Sequence, residues 1–391
     1  MRKNLLKRIV IFIGLILFLL PLHVFADDTS DIIKSQLDAL DIEEIQGFAD
    51  QVSREADGAI PALDIKEMVL GLLKGDPVVN VQNMILGLGK MLVKEVVLNF
   101  NVMGQILVLA VLCAILQNLH GAFEGTGVGR VAYSACYILI AIVAMKSFHT
   151  AMTFGSQAID TMVSYTQALF PTMIALLVSV GAITSSTVFQ PIIFGSISLI
   201  ITAIKYLIIP LVYFSAVLSL LNNLSEGIQV NRLASLLRQT AVGVLGVMLT
   251  IFLGVISVQG VASSSLDGLT IKTAKFAMDK FVPIVGKFLN DAFDTVVSCS
   301  MLIKNGIGVA GLVVLLMICL FPLVKIFSII AIYKITSALI EPILDNQIVK
   351  CLNDMSNSLL IIFSAVLSVG VLFFVFITVI MGVGNMTVML R

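Results

Sequence analysis

The sequence predicts an all-α, polytopic helical membrane protein of about seven spans, with an internal repeat and a small extracytoplasmic helical region at its N-terminus. Composition is the first reason. Of 391 residues, 59% are apolar and only 12% charged, about half the charge of a soluble domain. Charge distribution is the second. Asp27, Asp28, Asp31, Asp38, Asp41, Glu43, Glu44, Asp50, Glu55 and Asp57 crowd the start, and the long apolar runs begin after residue 100. The third is a pair of long apolar segments that share a proline tripeptide, Pro210-Leu211-Val212 and Pro322-Leu323-Val324. A formal net charge of zero excludes the basic face that a nucleic-acid partner needs.

Residues 1–26 read as a signal peptide. Arg2, Lys3, Lys7 and Arg8 precede apolar Ile9–Leu22, and Ala26 precedes a polar start. An uncleaved signal anchor is the competing reading. Either way residues 27–100 face away from the cytoplasm. Within them, Ile33, Leu37, Leu40, Ile45, Phe48 and Val52 predict one amphipathic helix over 30–56, ended by Gly58 and Pro61. Asp64 with Glu67 predicts a capping box for a short helix over 65–74, closed by Gly75. Residues 78–100 form a third amphipathic stretch. It either lies along the membrane surface or packs on the first two helices.

A spanning helix needs ~20 apolar residues. The candidates are 102–119, 131–149, 168–188, 191–221, 240–260, 305–340 and 356–383. Residues 191–221 would run about 46 Å as one helix, so Pro210, and likewise Pro322, is expected to kink or break its segment. The expected divisions are a first hairpin over 101–149, repeat copy one over 150–261 and copy two over 262–391. Pro171 to Pro210 is the same interval as Pro283 to Pro322. Identity elsewhere is thin, so chance agreement is the competing explanation. Three crossings per copy would make the second copy inverted, and broken repeated helices mark transporter-like folds. With seven crossings, loop lysines and arginines place 261–304, including Lys272, Lys275, Lys280, Lys287 and Lys304, in the cytoplasm.

Lys205 and Lys325 lie within long apolar segments. An ionisable residue at membrane depth costs ~2.5–3.5 kcal/mol and marks a functional site by default, unless it snorkels to the interface. Lys287, Asp291 and Asp294 share one helix face, suited to a polar cavity, a partner or plain solvation. Few acidic residues fall in the spans, which disfavours ion coupling. Gly243, Gly246, Gly254 and Gly260, and Gly306, Gly308 and Gly311, suit close helix contacts, internal or between subunits. Cys113, Cys136, Cys299, Cys319 and Cys351 form no CxxC pair and read as small buried hydrophobes. Gly125-Thr126-Gly127-Val128-Gly129 follows no strand and is no phosphate loop. No Walker, HExxH or Ser/His pattern occurs, so catalytic residues, metal and cofactor are expected to be none, and the chain is expected not to be an enzyme.

The order of these features resembles the stage III sporulation protein AE family of endospore-forming bacteria. The stretch that carries most of the resemblance is LTIFLGVISVQGVASSSLDGLTIKTAKFAMDKFVPIVGKFLNDAFDTVVSCSMLIKNGIGVAG at 249–311. RVAYSACYILIAIVAMKSFHTAM at 130–152 and RLASLLRQTAVG at 232–243 also resemble it. The resemblance implies a multi-span component of a channel between mother cell and forespore, a secretion-like feeding apparatus needed for forespore development. It implies the mother-cell membrane facing the forespore as the location. The implied partners are the other stage III sporulation A-operon membrane proteins and, indirectly, stage II sporulation protein Q. It assigns no catalytic residue. The alternative function is a stand-alone secondary transporter of a small solute, which the repeat and the proline helices favour.

Overall fold

The computed structural model describes residues 30–56, 58, 62–75, 81–122, 128–224, 230–281, 285–344 and 346–389. Within these, side chains are described except at 30–32, 34, 81, 117–122, 128–130, 132, 184–186, 188–194, 223–224, 258–281, 285–293, 346 and 383–389. The signal-peptide reading, Pro283, and the side chains of Lys287 and Asp291 lie outside the described residues.

Every element is a helix among the described residues. Three short ones come first: α1 (Ser30–Asp38), α2 (Glu43–Glu55) and α3 (Ile65–Lys74). Then come α4 (Val81–Leu98), α5 (Phe100–Ala122), α6 (Val128–Ser179), α7 (Ile183–Ala203), α8 (Ile209–Leu224), α9 (Asn231–Phe281), α10 (Val285–Ile340) and α11 (Asn346–Met389).

The expected single helix over 30–56 is two. The chain turns at 39–42, which lets Leu37 and Ile42 both point inward. The Asp41 carbonyl at that turn accepts from Thr172 Oγ1 at 3.4 Å. The signals around α3 hold. Asp64 Oδ1 accepts from the Glu67 amide at 2.9 Å, and Gly75 closes the helix at φ 83°, a conformation that costs glycine nothing. Lys66 bridges to Asp38 at 2.8 Å, and this carboxylate holds the Lys66 ammonium above its ordinary range. The third stretch does not pack chiefly on the first two helices. α4 lies along α10 and leads into α5.

Six stretches, not seven, are long and apolar enough to cross a membrane among the described residues. The difference comes from 131–149 and most of 168–188, which belong to one helix. α6 runs unbroken for 52 residues with Pro171 inside it. The two other prolines do not end their segments either. Pro322 sits within α10. Before Pro210, residues Ile204–Ile208 form a π-turn, and the Ile209 amide reaches back to the Ile204 carbonyl. The wider turn relieves the clash of a proline ring with the preceding turn, as neighbouring helices and local π adjustments allow in membranes. The boundaries at 149/150 and 261/262 therefore fall inside α6 and α9.

α6, α10 and α11 form the core. Tyr165 Oη donates to the Gly311 carbonyl at 2.9 Å and Tyr333 Oη to the Ala144 carbonyl at 2.5 Å, so α6 and α10 are antiparallel. Phe170 stacks on Phe376 at 5.8 Å, and a Cβ at Gly155 would lie 2.8 Å from Ile362, so α6 and α11 are parallel. Tyr213 lies against Phe148, and Tyr137 Oη donates to the Leu220 carbonyl. Hence α7 and α8 descend beside α6, in the same direction as α10. α9 covers α8 and α11. In lipid there is no hydrophobic drive between helices, so close van der Waals packing must hold them.

The two glycine groups part ways here. A Cβ at Gly306 would lie 2.9 Å from Val69, and one at Gly311 3.0 Å from Leu169. Gly308 lies against Met381. Added atoms at Gly243, Gly246 and Gly254 would meet nothing within 4 Å. The first group seals internal contacts and the second faces outward. Lys304 also corrects its expected place in a cytoplasmic loop. It lies within α10, has no exposed surface, and donates to the Met381 carbonyl at 2.7 Å. None of the five cysteines is in a disulfide, and four are buried.

Gly306 is the notch that seats α3. Gly306→Leu should cost about 1–3 kcal/mol, as overpacking does, and should speed limited proteolysis between α2 and α4. Digestion at the wild-type rate would show that α3 is held elsewhere.

Candidate functional site: an ion pair beside a cleft under α2

Three of the seven singled-out residues come together. α2 lies across α6 and α10 with Phe48 edge-on to Tyr165, ring centroids 5.5 Å apart. Beneath its last turns is a cleft of about 360 Å³. Its apolar floor includes Phe154, Ile318, Phe321 and Pro322. Its polar lining is Gln51 and Glu55 from α2, Gln157, Asp160 and Thr161 from α6, and Lys325 from α10. The Lys325 ammonium lies 5.5 Å from the centre of the Phe154 ring, within cation–π range.

Lys205 approaches from the other side of α6. It stands in the π-turn and pairs with Asp160. The turn that accommodates Pro210 thus presents the lysine, and Pro210 serves the site through the backbone. Asp160 is shared between the pair and the cleft. Pro322 lines the cleft directly, and its missing N–H leaves the carbonyl one turn back without its helical donor. Asp294 lies elsewhere, about eight turns away on α10, where its carbonyl accepts from Ser298 Oγ.

Asp160 was missed because 150–167 read as the interval between two crossings. In a continuous α6 it is an acid within a span. Acidic residues at this depth are therefore less scarce than the sequence implies. Asp354 is a further acid within a span, nearer its lower end, 3.7 Å from Arg238 across α11 and α9. The signal that finds Asp160 is helical spacing: Gln157, Asp160 and Thr161 repeat on one side of α6.

Chemically, the site offers a neutralised pair, a cation against an aromatic ring and an acid on a short helix. It can hold a polar or dipolar group.

A model of the family described as stage III sporulation protein AE matches residues 63–384. The chain belongs to that family. The curated Stage III sporulation protein AE of Bacillus subtilis (strain 168) is 38% identical over 353 residues, covering 90% of this chain and 88% of that protein. No solved structure matches. Family membership gives the chain a sporulation role, and the apolar helices make it a multi-pass membrane protein. The matched region includes α3, the whole cleft face of α6 and α10, and both members of the ion pair.

Removing one member of the Lys205–Asp160 pair leaves its partner as a lone charge within a span, an arrangement that disfavours insertion and folding. Asp160→Ala and Lys205→Ala should each lower the amount of folded protein in membranes. The neutral double variant Asp160→Asn with Lys205→Gln should recover most of it. A double variant as depleted as the worse single one would show that the pair is not the unit that matters.

Proposed function

We propose that this chain is the multi-span membrane component of the mother-cell-to-forespore channel, a secretion-like feeding apparatus, and that it acts without bond chemistry. The family carries the sporulation role. One observation supports a channel subunit over a self-contained carrier. The axis between α6, α10 and α11 is filled by Tyr165, Tyr333, Phe321, Phe373 and Phe376, each essentially without exposed surface. A passage for solute would then run between chains, not through the middle of one. The partners on this reading are the other stage III sporulation A-operon membrane proteins and, through them, stage II sporulation protein Q, with the chain in the mother-cell membrane that faces the forespore.

The second reading, a stand-alone secondary transporter, is favoured by a different observation. A charge pair, a π-turn and a cleft meet in long apolar helices, and π-turns and intramembrane charges gather at functional sites.

Partner dependence separates the two. In sporulating cells lacking the other A-operon membrane proteins, a channel subunit should lose its forespore-facing localisation or fall several-fold in abundance. Unchanged abundance and placement, with solute uptake by the purified chain in vesicles, would favour the transporter.

A further inference from the structure

α6 carries a polar stripe down its outer surface. Thr150, Thr153, Gln157, Asp160, Ser164 and Gln167 recur at intervals of three and four, so they share one face. All but half-buried Thr153 are exposed. From 150 to 167 the stripe rises about 26 Å, close to the ~30 Å hydrocarbon thickness of a bilayer. Lys146 and His149, also exposed, extend it at the lower end. α7 and the π-turn widen it. Ser198 and Thr202 are exposed beside Thr166 and Gln167, and Lys205 pairs with Asp160.

The neighbours fix the height of this stripe. α11 carries no charged residue from Met355 to Met389, and α10 none from Asn305 to Val324. These are the stretches that pack beside it, through Gly155 against Ile362, Tyr165 against Gly311 and Phe170 against Phe376. α9 is likewise free of charge from Gln239 to Leu266, and Arg238 below it reaches Ser358. So the stripe crosses the depth at which the rest of the bundle is most apolar. The opposite flank at that depth exposes Leu199, Val247 and Ile251.

The two flanks want different surroundings. Thr150 and Thr153 satisfy their hydroxyls on carbonyls four residues back. The Gln157 carbonyl accepts from Thr161 Oγ1, but the side-chain amides of Gln157 and Gln167 have no hydrogen-bond partner among the described residues, and Gln157 stands near the middle of the stripe. A bare amide in hydrocarbon costs several kcal/mol. Too short to snorkel from mid-depth, glutamine needs water there. The outer face of α2 adds exposed Asp50, Arg54 and Glu55 at the same height.

We infer that the polar stripe of α6, with Ser198, Thr202 and Lys205 beside it, walls a water-filled passage across the membrane that further copies of this chain close. One copy leaves most of the stripe open on its surface, with α2 beside Gln157 and Asp160. A closed ring of identical subunits turns each stripe inward and leaves each apolar flank to lipid, and closed symmetry is the usual form of homo-oligomers. A wall of hydroxyls and amides with its mid-depth charges paired suits small hydrophilic solutes and selects weakly by charge. The inference rests on the channel reading for its place in the cell, but not for its geometry.

The test uses the full chain with its native cysteines replaced, produced in non-sporulating cells without other sporulation membrane proteins. Single cysteines go at Thr150, Gln157 and Ser164 on the stripe, and at Leu199, Val247 and Ile251 on the apolar flank. A membrane-impermeant thiol reagent reacts with the thiolate, which forms only in water. The stripe positions should label at least about tenfold faster than the flank positions. Equal, slow labelling of both sets would overturn the passage. Equal, fast labelling would place this depth outside the bilayer and overturn it too. Fast stripe labelling that appears only when the other sporulation proteins are present would overturn closure by copies of this chain. The channel reading can fail in sporulating cells while this result stands.

Discussion

The closeness of α6, α10 and α11 governs what the rest of the molecule can do. Lipid gives these helices no hydrophobic reason to associate, so contact distance decides stability. Gly155, Gly311 and Gly370 each lie where an added carbon would press on a side chain of a facing helix. Tyrosines at 165 and 333 then spend their hydroxyls on carbonyls across the same seams. The result is a solid axis. The polar chemistry of the chain is displaced to its outer surface, and the short N-terminal helices are held to that surface by the same device, Val69 set against Gly306.

The ion pair, the cleft and the stripe follow from this displacement. Lys205 is presented by a turn that exists because Pro210 follows it. Asp160 is presented by a helix that does not break. Pro322 opens the backbone at the floor of the cleft, and α2 roofs it. These features sit at one height, where α2 carries charge. The far side is mainly apolar, with Leu199, Val247 and Ile251 exposed. A subunit with one wet and one oily flank is a natural wall for something larger, which agrees with a family that acts in sporulation.

Much of this was legible in the sequence. The all-helical membrane class, the cap at Asp64, the turn at Gly75 and the family resemblance came from composition, local hydrogen-bond chemistry and residue order. Local rules reach that far because each concerns neighbours in the chain. The breaks were less legible. Pro210 and Pro322 suggested a kink or a break, yet tertiary packing and a π-turn carry the helices through. The polar interval after His149 looked like a loop, because a hydropathy window averages all faces of a helix and hides a stripe. The buried place of Lys304 depends on a carbonyl 77 positions away in the chain, which no local pattern reports.

The most direct measurement is a cryo-electron microscopy map of the chain in lipid nanodiscs, read along α6. The account requires continuous helical density from Val128 to Ser179, side-chain density filling the axis between α6, α10 and α11, and the lipid belt meeting the α7 and α9 flank. Helical density broken between His149 and Ala168, with solvent along the axis, would contradict it.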